Sequence, residues 1–490
     1  MIIVRNRDYT AFEQDIRELL SAFFPGETFS SEESGEAFLS LSVDGLMKRE
    51  EMTGDRFEDK TLVKRKLYGV LSEKTGRKLP WGTLTGIKPV KLADKVLNAA
   101  GDDIQAADRI LADRYLISAS KRKLMLEIAQ RERKLLESLP ASGGYSFYFG
   151  IPFCPTRCLY CSFTSNPVEK FSGRVEEYLA DMTHELRDFA ETVHGGLPAA
   201  SPSTVYIGGG TPTALTAAQL DSLLSSLKKY ADFTALPEFT VEAGRPDSIT
   251  EEKLSVLRSH GVSRISVNPQ TMNQKTLDLI GRRHTVQQTL DAFALARRCG
   301  FDNINMDVIM GLPGETEKDV RHTLSVIEDL HPESLTVHAL AVKRAARLST
   351  EHDPWAEYER AEGEAVSVMT QLGAESAARM GMKPYYLYRQ KNIAGNQENT
   401  GYAVPGTESL YNIIMMEEKQ PVIGFGAGST TKLSSTVRME NIRDLNQYLG
   451  RIGELLEKRR IFLQENRELL ENPQQRACTA KVYGERNSYF

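Results

Sequence analysis

Between Tyr145 and Leu340 the sequence alternates, at short spacing, between runs suited to strands and runs suited to helices. Strands are expected at Ser146–Ile151, Thr204–Gly208, Glu238–Glu242, Arg264–Asn268, Asn303–Met310 and Ser334–Leu340. Helical periodicity separates them at Val175–Ala190, Ala217–Lys228, Glu251–Ser259, Val286–Arg298 and Glu317–Leu330. Repeated β–α units imply a parallel sheet. Six of them suit a partial (β/α) barrel, whose chemistry gathers at the C-terminal edge of the strands. A doubly wound open sheet is the alternative.

Almost every one of these strands ends in polar or glycine-rich sequence, which a structural core alone does not need. The first runs into Cys154, Cys158 and Cys161, spaced C-x3-C-x2-C in a chain whose remaining cysteines are Cys299 and Cys478. Thiolates so close together can converge on one soft metal centre. A structural zinc site normally takes four ligands, often as two pairs. Three thiolates suit a [4Fe–4S] cluster with one iron left open. Zinc, and a simple role as buried small side chains, remain the alternatives at this point.

The second strand ends in Gly208-Gly209-Gly210-Thr211, where absent side chains let backbone approach a ligand closely. Glu242 closes the third; it could bind an amine or a hydroxyl, or simply pair with Arg245. Asn268 and Gln270 follow the fourth, with Arg282, Arg283 and His284 shortly after. Asp307 lies within the apolar fifth strand, where a carboxylate is costly unless paired or bound. His338 lies on the sixth and is equally compatible with core and ligand roles.

The remainder bounds the protein's class. With 490 residues, two or three domains are expected. We divide the chain into an α+β region (1–142), the barrel (143–345) and a mixed α/β C-terminal extension (346–490). A net charge of −5 gives no reason to expect a nucleic-acid partner. No apolar run approaches the length of a membrane span. The N-terminus has no signal-peptide pattern, and five cysteines with three clustered do not form a disulfide framework. These features lead us to expect a soluble cytoplasmic protein. Leu79–Pro89, with Trp81, reads as an ordered loop, and Ser118–Leu139 as a charged, solvated helix.

In this order, IPFCPTRCLYC, GGGTPT, VEAGRP, SVNPQ with GRRH, and NMDVIMGLPGET resemble the radical S-adenosylmethionine (radical SAM) superfamily. More narrowly, they are similar to the oxygen-independent coproporphyrinogen III oxidase (dehydrogenase) family. TLTGIKP, TVEAGRPDSI, LTVHALAVKR and PYYLYRQKN resemble its HemZ-type branch. The resemblance implies an α/β fold: a partial (β/α)6 TIM-like radical SAM barrel with an α+β N-terminal domain and a C-terminal extension on the substrate side.

It also implies a [4Fe–4S] cluster on Cys154, Cys158 and Cys161, with S-adenosylmethionine on its open iron. Tyr148 would pack beside the sulfonium, and Gly209, Gly210 and Thr211 would hold the methionine moiety. Glu242, Gln270 and Asp307 would contact S-adenosylmethionine, Arg282 its carboxylate; Tyr148 and Glu242 are the catalytic candidates. The implied reaction uses a 5′-deoxyadenosyl radical to convert the propionates of coproporphyrinogen III to vinyls in haem biosynthesis. The implied partners are a porphyrinogen substrate and an electron donor such as a flavodoxin or ferredoxin. Lys343, Arg344, Tyr385, Tyr386, Tyr388 and Arg389 are candidates for gripping the anionic substrate.

The chain also departs from the decarboxylase pattern. Phe163 stands where a fourth cysteine is expected, and Gly150 where a histidine is. Phe163 matches the haem-chaperone branch, but Tyr411-Asn412-Ile413-Ile414-Met415-Met416 lacks that branch's histidine and tryptophan. A haem carrier that retains the cluster, and a radical enzyme on another tetrapyrrole, are therefore the alternative readings.

Overall fold

The computed structural model describes residues 2–5, 9–24, 38–43, 46–51, 53, 55–139, 144–161, 163, 165–194, 201–234, 236–341, 363–390 and 396–471. The chain forms two compact units, one of Met1–Arg131, Glu362–Ser367 and Leu387–Glu398, the other of the remaining segments. In the first, β1 (Ile2–Arg5), β2 (Phe38–Val43) and β3 (Leu46–Glu51) make an antiparallel sheet in sequence order. Helix α1 (Tyr9–Phe23) buries Phe12, Ile16, Leu19 and Phe23 against Val63, Leu67 and Leu71 of α2 (Arg56–Thr75). That spacing of three and four residues places the apolar side chains on one helix face.

Helices α3 (Pro89–Ala99), α4 (Ile104–Tyr115) and α5 (Ala119–Leu136) follow. Pro89 opens α3, and the Asp103 carboxylate caps α4 by accepting from two backbone amides. Trp81 of the expected ordered loop is fully buried with Val90, Leu97 and Leu111. Its indole N–H donates to Glu398 at 3.0 Å, and Lys121 donates to the same carboxylate. That tryptophan is a structural residue of its unit.

In the second unit the expected alternation is present. The parallel strands are β4 (Ser146–Ile151), β7 (Thr204–Gly209), β8 (Glu238–Gly244), β9 (Arg264–Val267), β10 (Ile304–Met310) and β11 (Ser334–Ala339). Short β5 (Phe153–Cys154) and β6 (Asn166–Pro167) pair with each other after β4. Helices α6 (Val175–His194), α7 (Ala217–Leu227), α8 (Glu251–Ser259), α9 (Gln274–Leu279), α10 (Val286–Arg298) and α11 (Glu317–Leu330) supply the crossovers. Thr216 with Gln219, and Thr285 with Gln288, form capping boxes that start α7 and α10.

The strands lie side by side in chain order, every pair parallel. The order never reverses, so the doubly wound alternative is excluded and the sheet is that of a partial barrel.

After α12 (Gly363–Arg379), β12 (Lys383–Tyr388) and β13 (Asn399–Ala403) extend the sheet beyond β11. Helix α13 (Leu410–Glu417) leads to β14 (Val422–Phe425), which pairs parallel to β4 at the opposite edge. β15 (Thr430–Lys432) and β16 (Arg438–Glu440) continue that edge, and α14 (Leu445–Gly450), α15 (Ile452–Glu465) and α16 (Arg467–Glu471) follow. The C-terminal extension therefore supplies a seventh parallel strand among the described residues. Phe425 of β14 stacks on Phe149 at 4.9 Å and meets Phe147 edge-on at 5.2 Å, which locks β14 to β4.

Candidate functional site

The cysteine loop leaves the C-terminal end of β4 and is pinned on several sides. The amides of Gly210 and Thr211 donate to the carbonyls of Ile151 and Phe153 at 2.8 and 2.7 Å. At the far side Leu159 N–H donates to the Ile280 carbonyl at 3.1 Å, and Leu159 and Tyr160 pack with Leu277 and Ile280. Cys154, Cys158 and Cys161 are each partly buried and carry free thiols. Burial pushes the Cys154 thiol up to about 11, and the two other cysteines act on it electrostatically. Among the described residues, no three Cys, His, Asp or Glu side chains converge on a point that one metal ion could occupy. Ligands of a multi-iron cluster each bind a different iron, so convergence on one point is not required of them.

Gly210 lies against this loop so closely that a Cβ would sit 2.5 Å from the Phe153 carbonyl oxygen and 3.0 Å from Cys154 Sγ. Thr211 Oγ1 lies 3.5 Å from the same sulfur. Two arginines face Cys158. Arg245 grips Asp247 in a two-pronged pair at 2.7 and 2.9 Å, donates to Thr156 Oγ1 at 3.1 Å and reaches within 3.7 Å of Cys158 Sγ. Arg282 is buried; desolvation opposes its charge, but Tyr160 and Cys158 hold its pKa above the usual guanidinium value.

Behind the glycines, Glu242 accepts from the Tyr206 hydroxyl and from Gly209 N–H at 3.3 Å. The alternative Glu242–Arg245 pair does not form, because Arg245 turns to Asp247. Burial raises the Glu242 pKa, partly offset by the Tyr206 hydrogen bond. Tyr148 stacks with Tyr206 and Tyr411, with centroids 6.2 and 6.3 Å away, and its pKa is raised by burial. Asp307 accepts from Asn305 Nδ2 at 2.7 Å and lies 3.8 Å from His338 Nε2. Burial alone would raise its pKa, yet His338, Asn305 and Thr336 hold it below the usual carboxylate range.

The end of β9 concentrates unpaired polarity. Ser266 Oγ, Asn268 Oδ1 and Gln270 Oε1 are all buried without hydrogen-bond partners, as is Nε of Arg282. Arg282 donates from Nη1 to the Asn268 carbonyl at 2.5 Å. A buried acceptor left unpaired costs about 1–3 kcal/mol, so several together mark a place where a polar ligand completes the bonding.

The expected residues thus gather along one strand edge of the second unit. Lys343 and Arg344 lie outside the described residues. Tyr385 interacts with Arg264 at the opposite, N-terminal end of β9, and Arg389 is committed within its own unit to the Leu84 carbonyl at 2.6 Å. The sequence reading passed over Tyr206, the role of Arg245, and the segment after β14. Ala427 and Ser429 of that segment line a cavity of about 220 Å³ with Tyr148, Gly150, Phe163 and Gly209. The repeated glycines of Gly424–Gly428 were the available signal.

Comparison with known proteins agrees with this geometry. The Radical SAM superfamily profile matches residues 148–327. The chain is 44% identical over 367 residues to the "oxygen-independent coproporphyrinogen-III oxidase-like protein HemZ" of Bacillus subtilis, covering 74% of this chain and 72% of that protein. It is 32% identical to the heme chaperone HemW of the same organism, over 63% of this chain and 76% of that one. The solved coproporphyrinogen III oxidase HemN of Escherichia coli superposes with a TM-score of 0.53 at 22% identity, covering 66% of this chain and 73% of that one, and so shares the fold. With its cysteine loop, glycine turn and strand order, the chain belongs to the radical SAM superfamily and, within it, to the HemZ-type branch of oxygen-independent coproporphyrinogen-III oxidase-like proteins.

Proposed function

We propose that this protein is a radical SAM oxidoreductase of tetrapyrrole metabolism that converts propionate side chains of coproporphyrinogen III to vinyl groups without oxygen. The cofactors of the superfamily are a [4Fe–4S] cluster and S-adenosylmethionine. The observation that carries the reading is a three-thiol loop joined through Arg282 to a group of unpaired buried acceptors at the end of β9. A donor set of three thiols, a glycine turn without room for a side chain and unmatched polar atoms fit a cluster beside an amino-acid nucleoside. The substrate assignment is supported by the likeness to the HemZ protein.

When bound, the two cofactors together supply one-electron chemistry that protein side chains lack. In this reading Cys154, Cys158 and Cys161 hold the cluster, and Gly209, Gly210 and Thr211 receive the methionine portion by backbone contacts. Arg282, already buried and cationic, meets its carboxylate, for which a planar guanidinium is well shaped. Gln270 and Asp307 offer acceptors to ribose hydroxyls, and Tyr148 covers the sulfonium. Glu242, held by Tyr206 and Gly209, orients the glycine turn. Each substrate propionate would lose one hydrogen atom to the cofactor pair, one carbon dioxide, and one electron to an external one-electron acceptor, leaving a vinyl group. A small reducing protein, such as a flavodoxin or ferredoxin, is the proposed electron source.

Similarity to HemW and the exposed Phe163 favour a second reading, a haem carrier retaining the cluster. The discriminating experiment is anaerobic reconstitution, reduction and addition of S-adenosylmethionine with coproporphyrinogen III. Carbon dioxide release and vinyl products are expected. 5′-Deoxyadenosine without substrate conversion would remove the substrate assignment, and stable haem uptake without S-adenosylmethionine cleavage would establish the carrier.

A further inference from the structure

The cavity beside the cysteine loop has two walls from distant parts of the sequence. One is the end of β4, Gly150 to Pro152; the other is Ala427 to Ser429, just after β14. A single hydroxyl joins them. Tyr178 of α6, fully buried, donates to the Gly150 carbonyl at 2.5 Å and accepts from the Ala427 N–H at 3.0 Å. Both of its partners line the cavity.

The surroundings fix this bridge. Gly426 has φ of +92°, and a Cβ there would fall 2.3 Å from the Tyr178 hydroxyl and 2.7 Å from the Gly150 carbonyl oxygen. Only glycine leaves room for the contact. Glu185, about two turns further along α6, accepts from Gly426 N–H at 3.1 Å and from Tyr448 at 2.7 Å. Arg459 of α15 binds Glu185 at 2.9 Å and the Gly424 carbonyl at 2.7 Å. The loop after β14 is therefore held by α6 and α15, and beyond the last β4–β14 pair the Tyr178 hydroxyl ties it to the cysteine-bearing strand.

We infer that Tyr178 is a positioning residue, whose hydroxyl sets the width of the cavity between the β4 end and the loop after β14 and thereby the fit of the substrate arm admitted beside the cofactor. The substrate part of this inference rests on the function proposed above; the bridge itself does not.

Tyr178→Phe keeps the ring and removes the hydroxyl, so the test separates geometry from turnover. Hydrogen exchange on the full-length protein should show the Ala427 amide exchanging about fivefold to tenfold faster, the scale of one lost buried hydrogen bond. Thr204→Val is the control. It removes a buried hydrogen bond of 2.8 Å to Ser146 at the opposite end of β4, and should leave Ala427 exchange unchanged. With the reconstituted protein, Tyr178→Phe should keep full iron content while KM for coproporphyrinogen III rises about fivefold and kcat changes less than twofold. Gly426→Ala attacks the bridge from the other wall and should give the same pattern if Tyr178→Phe does not fold. Unchanged Ala427 exchange, or equal effects from Thr204→Val, overturns the bridge. Faster exchange with an unchanged KM overturns its role in substrate fit. A wild-type protein that cleaves S-adenosylmethionine but leaves coproporphyrinogen III intact refutes the substrate assignment, and the exchange measurement still decides the bridge.

Discussion

Gln270 donates its backbone N–H to the carbonyl of Asp307 at 2.9 Å, and its own carbonyl accepts from Ile309 at 3.0 Å. This clip to β10 holds Gln270 at φ +67°, a left-handed conformation costing a non-glycine residue about 1–2 kcal/mol. Strain of this kind persists where surrounding structure enforces it, often at ligand sites. The buried Oε1 of Gln270 has no partner. Gln270→Ala should therefore weaken S-adenosylmethionine binding about tenfold while leaving thermal stability within a few degrees. Equilibrium dialysis against the reconstituted protein measures this, and undiminished affinity would remove Gln270 from the site.

Cys158 occupies the middle of the thiol set and faces both Arg245 and Arg282. Cys158→Ala should abolish the broad visible absorbance of the reconstituted cluster and bring iron to background. Cys299→Ala, at the C-cap of α10, should leave both unchanged. Iron retained in Cys158→Ala would sink the ligand assignment.

The alternation of strands and helices was readable because each element carries its own local signal. Apolar runs end at glycine or proline, and helices begin at Thr216, Thr250, Thr285 and Thr316. The candidate site residues stood out because they lie at or near strand ends, where apolar sequence turns polar. Strand β14 was not. It is short, lies far along the chain from its partner β4, and its pairing depends on a contact that no local period encodes. Arg245 shows a related limit. Its nearest carboxylates in sequence were Glu242 and Asp247, and spacing alone does not choose between them; the turn after β8 directs it to Asp247. Helices α3 and α4 did carry signals, in Pro89 and Asp103, that the sequence reading passed over.

His284 is fully buried, and neither ring nitrogen has a hydrogen-bond partner. Burial, followed by the charges of Arg282 and Arg245, lowers its pKa to about 3. Unfolded, a histidine takes up a proton near pH 6.5. The unfolded chain thus binds more protons than the folded one between these values, and stability falls as pH drops below about 6.5. His284→Gln should flatten that part of the profile. Urea midpoints of the apoprotein at pH 7.5 and 5.0 test it: the wild type should lose more between the two than the variant does, and equal losses would exclude His284 as the source.

Arg459 and Glu185 form an ion pair with both side chains fully buried. Desolvation cancels much of the attraction in such a pair, whereas removing one partner leaves an uncompensated charge and costs about 3–5 kcal/mol. Arg459 also stacks its guanidinium over Phe425 at 5.1 Å, so its loss loosens β14 directly. Arg459→Met should accordingly destabilise the protein strongly, and Glu185→Leu comparably. The double variant should recover part of the loss, because no buried charge remains in the pair, but not all of it, because Gly424, Gly426, Asn441 and Tyr448 each lose a partner. Thermal unfolding of the four proteins measures the coupling. Strictly additive losses would show that the two charges act independently, contrary to the geometry that joins them.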